Sequence, residues 1–560
     1  MNHQSGVITF IVSLFLALGF STGSMAQWSP DPSVNTRVAQ ALNDQQDQRM
    51  VADGKGGVII TWADFRNSTQ YPGVYVQRLD KNGNAKWASD GIPVCTTASV
   101  THSIPVIAED GSGGAIIVWQ DWRSGNKDIY AQRVDSNGIM LWASCGVAVV
   151  AKAFDQQNPH VISDGTHGAV IVWEDSINGN WDIFTQKISS GGGQAWTSGG
   201  VALCTSIDEQ INPRIETDGA GGGIVTWQDK RSGSDYDIYA QKITTSGTLS
   251  WAVNGVGICT LAQTQNNPKL KSDGASGAYI SWTDKRTGTD YDIYCQRINS
   301  AGVVQWTTNG TAVCSSTGNQ SALDITTDFI TGVVIAWKDF RNTSHYDIYA
   351  QRLDGSGSPQ WTANGVPVCT SVRDQINPDL TGDGTGGVIL VWQDSSAGNW
   401  DVYSQKLNSG GLLQWAAGGV AVGTATGNQT SPKSTADGAG GVIFTFQDKR
   451  SGTFDLYAHH LNASGVPDFI DEFNEATPKI IISPQPAKDH VLICYEGFSS
   501  QSTLNIYDIL GNNVTQNFTV LKSDNGKFEL IRSQAGVGFY LILFVGSEGK
   551  VIVKKLLFEN

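Results

Sequence analysis

The sequence predicts an all-β chain: an eight-bladed β-propeller, four strands to a blade with an N-terminal strand closing the ring, followed by a small antiparallel β-sandwich. Three observations predict it. A stretch of the form "WQDKRSGSDYDIYAQK" (Trp227–Lys242) recurs eight times, a second tryptophan recurs eight times in its own register, and no segment carries a sustained 3.6-residue apolar period.

The copies begin at Trp62, Trp119, Trp173, Trp227, Trp282, Trp337, Trp392 and Phe446, 54 to 57 residues apart. The fourth unit shows how each is built. Its first strand reads "NPRIETDG" (Asn212–Gly219), its second "GGGIVTW" (Gly221–Trp227), its third "YDIYAQKI" (Tyr236–Ile243), and its fourth runs from Trp251 through "NGVGIC". β-Branched and aromatic residues fill the strands, and Asp-Gly, Gly-Gly and Ser-Gly pairs mark the turns. A four-stranded unit of this length, repeated in tandem, is a propeller blade. The second series is Trp28, Trp87, Trp142, Trp196, Trp251, Trp306, Trp361 and Trp415. The repeat therefore begins at Trp28 with fourth-strand material and leaves the eighth unit after "DLYAHHLNASG" without a closing tryptophan strand. The N-terminal segment supplies the missing outer strand, which removes the free sheet edges of an open array.

Ahead of the repeat, Val7 to Phe20 is an apolar run too short for a bilayer, followed by the small-x-small pattern Ser24-Met25-Ala26. Residues 1–26 read as a signal peptide, 27–466 as the propeller, 467–477 as a linker and 478–560 as an Ig-like sandwich. No later segment reads as transmembrane. The formal charge of −15 and the lack of any Lys/Arg-rich run argue against nucleic acid as a partner. Five of the eight cysteines (Cys95, Cys204, Cys259, Cys314 and Cys369) lie eight residues after a tryptophan. Equivalent positions in successive repeats point the same way, so they read as small buried hydrophobes rather than a disulfide framework. No Cys/His spacing suggests a metal, and no cofactor is expected.

Repetition also decides how polar residues are read. Asp64, Asp121, Asp175, Asp229, Asp284, Asp339, Asp394 and Asp448 occupy one position in all eight units. Catalysis needs one acid and one base in one place, so this series reads as turn architecture, each carboxylate accepting from the following Arg or backbone N–H. Gln77, Gln132, Gln186, Gln241, Gln296, Gln351 and Gln405 read as strand-to-strand fasteners, and the tryptophans as inter-blade packing.

The final eighty residues carry "SPQPAKD" (Ser483–Asp489), "IYDILG" (Ile506–Gly511), "GFY" (Gly538–Tyr540) and Lys554-Lys555 in that order. This segment resembles the type A C-terminal sorting domain of type IX secretion cargo from Bacteroidota. Pro484, Pro486, Asp489, Gly511, Gly538, Tyr540, Lys554 and Lys555 match its motif positions. Ser483 and Gln485 depart from the usual Tyr-Pro-Asn-Pro opening. The resemblance implies the type IX machinery as a partner and passage through the periplasm to the outer surface of a Gram-negative cell or beyond it.

Function is expected where the copies disagree. Trp122 stands where other units carry Lys, Phe or Ser; Trp181 and Trp400 precede the third strand in the third and seventh units, which lack the loop arginine. With Arg123, these indoles are the candidate ligand contacts, for stacking on a sugar or gripping a protein. The propeller region holds four glutamates (Glu109, Glu174, Glu209 and Glu216), and no irregular acid pair or His cluster stands out. His102 and His160 are isolated. The sequence reading is a non-catalytic secreted or surface binding and adhesion protein with a glycan or protein ligand; the alternative is a polysaccharide- or glycoconjugate-active glycosidase or lyase.

Overall fold

In a computed structural model the described residues are 28–467, apart from 178 and 329, with 479–483, 490–496, 503–508, 512–523, 527–545 and 551–558. The expected signal peptide lies outside them. The chain divides into two compact units, Met1–Asp468 and Phe469–Asn560.

The first unit holds eight four-stranded antiparallel sheets. After β1 (Thr36–Ala39), sheet 1 is built in chain order from β2 (Gln45–Ala52), β3 (Val58–Asp64), β4 (Gly73–Leu79) and β5 (Ile92–Cys95). Six further sheets repeat this order. Sheet 8 has only three strands of its own, Gln429–Ala436, Val442–Asp448 and Asp455–Leu461, and takes β1 as its outer strand. The first strand of each sheet touches the first strand of the next, and Gln429–Ala436 touches β2. Seven of the eight second strands, such as "VIITWAD", are buried at every position, and in the other Lys338 alone is half-buried, because a neighbouring sheet covers each face.

The fourth strands differ from expectation. Val256–Cys259 is only four residues long and starts after Trp251, which lies in the preceding turn. The tryptophan has left its own sheet to pack on the next one. Trp306 Nε1 donates to Gly355 O at 3.0 Å, and its ring lies against Gly357. The same indole-to-carbonyl bond recurs for all eight members of the series, from Trp28 to Lys81 O through Trp415 to Ala463 O. A Cβ at Gly357, whose φ is +85°, would lie 2.6 Å from Trp306 Cδ2. Only glycine allows this approach.

In seven of the eight sheets a fastening glutamine ties the third strand to the outer turn; sheet 8 carries His459 there. Gln77 Nε2 donates to Ala88 O at 2.7 Å, while its Oε1 accepts from the N–H of Arg78 and Trp87. At the hairpin between first and second strands, Asp53 Oδ1 accepts from the N–H of Lys55 and Gly57, and Oδ2 pairs with Arg78 at 2.8 Å. All eight sheets repeat this pair, with Lys or His460 in place of Arg in four of them.

One cysteine expectation is corrected. Cys95 and Cys145 form a disulfide between the outer strand of sheet 1 and the turn before the outer strand of sheet 2. The partner is not the equivalent cysteine of the next unit but a turn residue five positions before that site. Other units carry Asn254, Asn309 and Asn364 there, whose side chains accept from the N–H of Thr205, Thr260 and Ser315 in the preceding sheet. At one junction a covalent bond replaces that hydrogen bond. Cys204, Cys259, Cys314 and Cys369 are free and buried, as expected, as is Cys295 on a third strand, and burial pushes the Cys204 thiol up to about 12.

The second unit has two sheets, one of four strands (Lys479–Ser483, His490–Glu496, Lys527–Arg532 and Phe518–Ser523) and one of three (Thr503–Asp508, Gly538–Val545 and Val551–Phe558). Val491, Ile493, Phe518 and Leu530 from the first meet Leu504, Ile506, Tyr540, Ile542, Leu556 and Phe558 from the second in one core.

Trp306→Ala should lower the unfolding free energy by about 3–5 kcal/mol through the cavity it leaves, and Gly357→Ala by about 1–3 kcal/mol through strain at its left-handed backbone; thermal and denaturant melts measure both. Cys145→Ser should cost about 2–4 kcal/mol, and a reductant should lower the melting temperature of the wild type but not of the variant.

Candidate functional site

At the end carrying the second-to-third loops, the repeated ionic groups are spent on the turn. Asp229 accepts from Trp227 Nε1 at 2.8 Å, from the Arg231 backbone N–H at 3.0 Å and from Arg231 Nε at 2.8 Å. The guanidinium lies 3.8 Å over the Tyr239 ring and reaches Asn254 O in the turn before the outer strand. Burial alone would raise the equivalent Asp121 carboxyl, but bonds from His102, Arg123 and Trp119 hold it well below the ordinary carboxylate range.

The sequence-predicted contacts sit on this loop end and are not brought together. Trp122 belongs to sheet 2, Trp181 to sheet 3 and Trp400 to sheet 7, and all three are half-buried. In sheets 4, 5 and 8 the residue after the repeated Asp is a lysine lying over the aromatic that precedes the third strand, as Lys230 does over Tyr236 at 5.7 Å. In sheet 2 the pair is exchanged, with Lys127 lying 5.9 Å over Trp122. Trp181 O and Trp400 O accept from the N–H of Gln210 and Gln429, which open the next sheets. Arg123 grips Asp121, Cys145 O and the Tyr130 ring.

His102 replaces the glutamine that opens the other first strands. Fully buried, it meets Asp121 Oδ2 at 2.9 Å through Nδ1 and Cys95 Sγ at 3.7 Å through Nε2. Cys95, His102 and Asp121 would be close enough to share a metal, but the Cys95 sulfur is committed to its disulfide.

The non-repeating charges gather instead along the eight first strands: β2, His102–Glu109, Gln156–Ser163, Gln210–Thr217, Gln265–Ser272, Gln320–Thr327, Gln375–Gly382 and Gln429–Ala436. Each carries a β-bulge after its second residue, with the third residue in the left-handed region, from Asp47 at φ +55° to Ser431 at φ +53°. Asn158, Asn212, Asn267 and Asn377 suit that conformation, whereas Ile104 (φ +50°) and Ala322 (φ +49°) do not. A side chain from the preceding sheet caps several bulges: Gln120, Glu174 and Gln228 accept from the N–H of Asn158, Asn212 and Asn267. Ala63 and Thr283 occupy the capping position ahead of Ile104 and Ala322.

Beyond the bulge, the fifth residue of each strand is Arg49, Val106, His160, Arg214, Lys269, Asp324, Asp379 or Lys433 in turn. The sixth residues, such as Ile215, Leu270 and Ile325, pack in the cores between sheets, as do Val106, Val51 and Ile162, while the charged fifth and seventh residues meet one another. Lys433 pairs with Asp379 at 2.6 Å and Lys269 with Asp324 at 3.9 Å; one level on, Lys271 pairs with Glu216 at 2.8 Å. Arg214 Nη1 donates to His160 Nε2 at 2.8 Å. A guanidinium only donates, so Nε2 accepts and His160 is the neutral Nδ1–H tautomer. Burial, then Arg214, Lys269 and Arg49, push its pKa well below 6.5. Burial, with Arg214 and Lys433 outweighing part of the help from Asp324, draws Lys269 down to about 8. Burial and Arg49 together lower Arg214 to about 10. Lys269 nonetheless keeps 37% of its side-chain surface. Toward the hairpin end the channel enclosed by the first strands opens into a cavity of about 770 Å³ bordered by Glu109, Glu216, Lys271, Asp164 and Lys187.

Sequence reasoning missed this ring apart from naming His160. Its signal was the residue after proline in "NPH", "NPR", "NPK", "NPD" and "SPK", which changes between units while its neighbours do not.

Residues 481–559 match the family described as "Secretion system C-terminal sorting domain". They are a type IX secretion sorting domain. The sorting domain directs export to the cell surface or the extracellular space and implies contact with the type IX machinery. Of its expected motif residues, Gly538 and Tyr540 lie on one strand, Tyr540 donating to Gly536 O at 2.8 Å, and Lys554 lies on the last strand. Pro484, Pro486, Asp489 and Gly511, and the side chain of Lys555, lie outside the described residues. No helix among the described residues is long and apolar enough to cross a membrane.

No curated protein matches the chain. Among solved structures, a polysaccharide lyase of family PL25, an ulvan lyase, is similar at 10% identity and TM-score 0.42, over 77% of this chain and 96% of its own. An endo-arabinase from Bacteroides thetaiotaomicron is similar at 16% identity and TM-score 0.27, over 46% and 94%. An α-L-arabinofuranosidase of Fusarium graminearum is similar at 11% identity and TM-score 0.30, over 55% and 92%. The expectation that the chain is not an enzyme is corrected here: these similar structures are a lyase and two glycosidases, and the non-catalytic reading is withdrawn.

His160 gives a test of the channel's electrostatics. The unfolded chain binds a proton near pH 6.5 that the folded chain refuses, so stability should fall as pH drops below about 6.5, by at most about 1.4 kcal/mol per pH unit for this group. His160→Gln should remove this group's share of the slope, leaving the share of the buried His459, and should not change the dependence above pH 7; melts from pH 8 to 5 measure it.

Proposed function

We propose that this is an exported enzyme acting on polysaccharide or glycoconjugate, of the glycosidase or lyase type, on a closed eight-bladed β-propeller spanning 27–466, after a signal peptide (1–26) and before a linker (467–477) and the sorting domain (478–560). Ring closure is supported by β1 completing sheet 8, by Trp28 of that segment bonding Lys81 in sheet 1, and by Gln429–Ala436 touching β2.

The observation that carries the enzymatic reading is the channel ring. Perturbed acid–base groups in a concave, solvent-reached site mark catalytic centres. Here a neutral imidazole and an ammonium drawn down to about 8 stand on one arc, beside a guanidinium able to neutralise developing charge, above a cavity flanked by Glu109 and Glu216. Lys269 is the candidate base, since part of it is neutral near pH 8. At the loop end, Trp122, Trp181 and Trp400 are the candidate stacking surfaces for sugar rings, with Arg123 beside Trp122. Sorting is assigned to the motif residues Pro484, Pro486, Asp489, Gly511, Gly538, Tyr540, Lys554 and Lys555.

The full-length chain should degrade a member of a panel of neutral and acidic polysaccharides, read by new reducing ends and by the ultraviolet absorbance of unsaturated products. kcat/KM should rise as pH climbs through about 8, where Lys269 loses its proton. Lys269→Met should lower it ~100-fold, the range of a lost general base. Absence of turnover on the whole panel, or a variant with full activity, overturns the reading.

A further inference from the structure

We propose that Arg49, His160, Arg214 and Lys269 form a binding site for a compact oxyanion, a sulfate or phosphate group, inside the channel. The four residues share one register position on the first strands of sheets 1, 3, 4 and 5, so the chain sets them at one level. Arg49 and Arg214 have no carboxylate partner, and Lys269 meets one only at 3.9 Å, at Asp324. The hairpin arginines and lysines each hold an Asp, and the loop arginines each hold theirs. Arg49 Nη1 donates only to Gln48 O, and Arg214 Nη1 only to Pro213 O and His160. Among the described residues no carboxylate lies within ion-pair distance of either guanidinium, and their Nε and Nη2 donors have no partner.

Arginine presents a planar fork of donors that matches a tetrahedral or planar oxyanion. Two such forks, an imidazole whose free nitrogen carries the proton, and an ammonium held by Asp324 only at 3.9 Å make an arc of donors with no negative charge among them. Gathering like charges in a confined channel is costly unless a bound anion offsets it. Of the acids of the ring, Asp324 in sheet 6 reaches Lys269 only at 3.9 Å, and Asp379 in sheet 7 is already engaged by Lys433 and Ser434. The oxyanion is either a free ion or a substituent on a glycan, and the second source rests on the enzymatic reading proposed above.

Calorimetric titration of the full-length chain with sodium sulfate and sodium phosphate, at constant ionic strength held by chloride, tests the site. One of the two ions should bind saturably at one site per chain. Arg49→Gln and Arg214→Gln should each weaken it at least tenfold, and Lys81→Gln, an exposed lysine outside the channel, by less than twofold. Melting temperatures should show the variants folded; if Arg214→Gln does not fold, Arg49→Gln decides. A sulfated oligosaccharide that displaces the ion, when its desulfated form does not, identifies a glycan substituent; displacement by neither identifies the free ion. No saturable binding of either ion, or undiminished binding in the folded arginine variants, overturns the proposal. Anion binding without turnover of any glycan would sink the enzymatic reading alone, and turnover without anion binding would sink this one alone.

Discussion

Everything in the repeat unit depends on one contact: an indole from one sheet laid on a glycine of the next, with its N–H on a neighbouring carbonyl. A sheet of four short strands cannot bury both faces alone, and its second strand, apolar on both sides, demands cover from both neighbours. The tryptophan supplies that cover at the outer rim. The price is a fourth strand of only four residues, because the chain must leave the sheet to deliver the ring.

Once the rim is fixed this way, the other repeated residues follow. Glutamines hold third strand to outer turn, aspartates hold the loop and the hairpin, and arginines seal the loop aspartates against aromatic rings. Each is used for structure in nearly every unit, which leaves the inner circumference as the place where substitutions cost least. There the fifth and seventh residues vary through Arg, His, Lys, Asp, Glu and Thr without disturbing a junction. Chemistry accumulates where the scaffold makes no demand.

Much of this was legible in the sequence. The period, the four-strand unit, the borrowed outer strand and the structural roles of Asp229 and Gln241 could be read from letters alone, because a residue repeated eight times must serve the repeat. The rest needed three dimensions. Trp251 looks like strand until one sees that its partner, Gly302, belongs to the next sheet. Cys145 looks unpaired because its partner sits at a different position of the preceding unit, across a junction that no local pattern reports. Arg49, His160, Arg214 and Lys269 read as unrelated substitutions far apart in sequence. Only the stacking of equal registers sets them at one level, and only burial makes their charges affect one another.

The borrowed strand also fixes how the molecule responds to force. Tension on the segment before β1 acts first on the Trp28 indole, bonded to Lys81 O in sheet 1, and then on a single rim strand held to sheet 8 by a short ladder. Sheet 1, the next in line, is riveted to sheet 2 by the Cys95–Cys145 bond and cannot be drawn away alone. A pull from the N-terminal side therefore opens the seam between the last sheet and the first, and then meets a locked pair. One seam is held by a strand and an indole, and the next by a covalent bond.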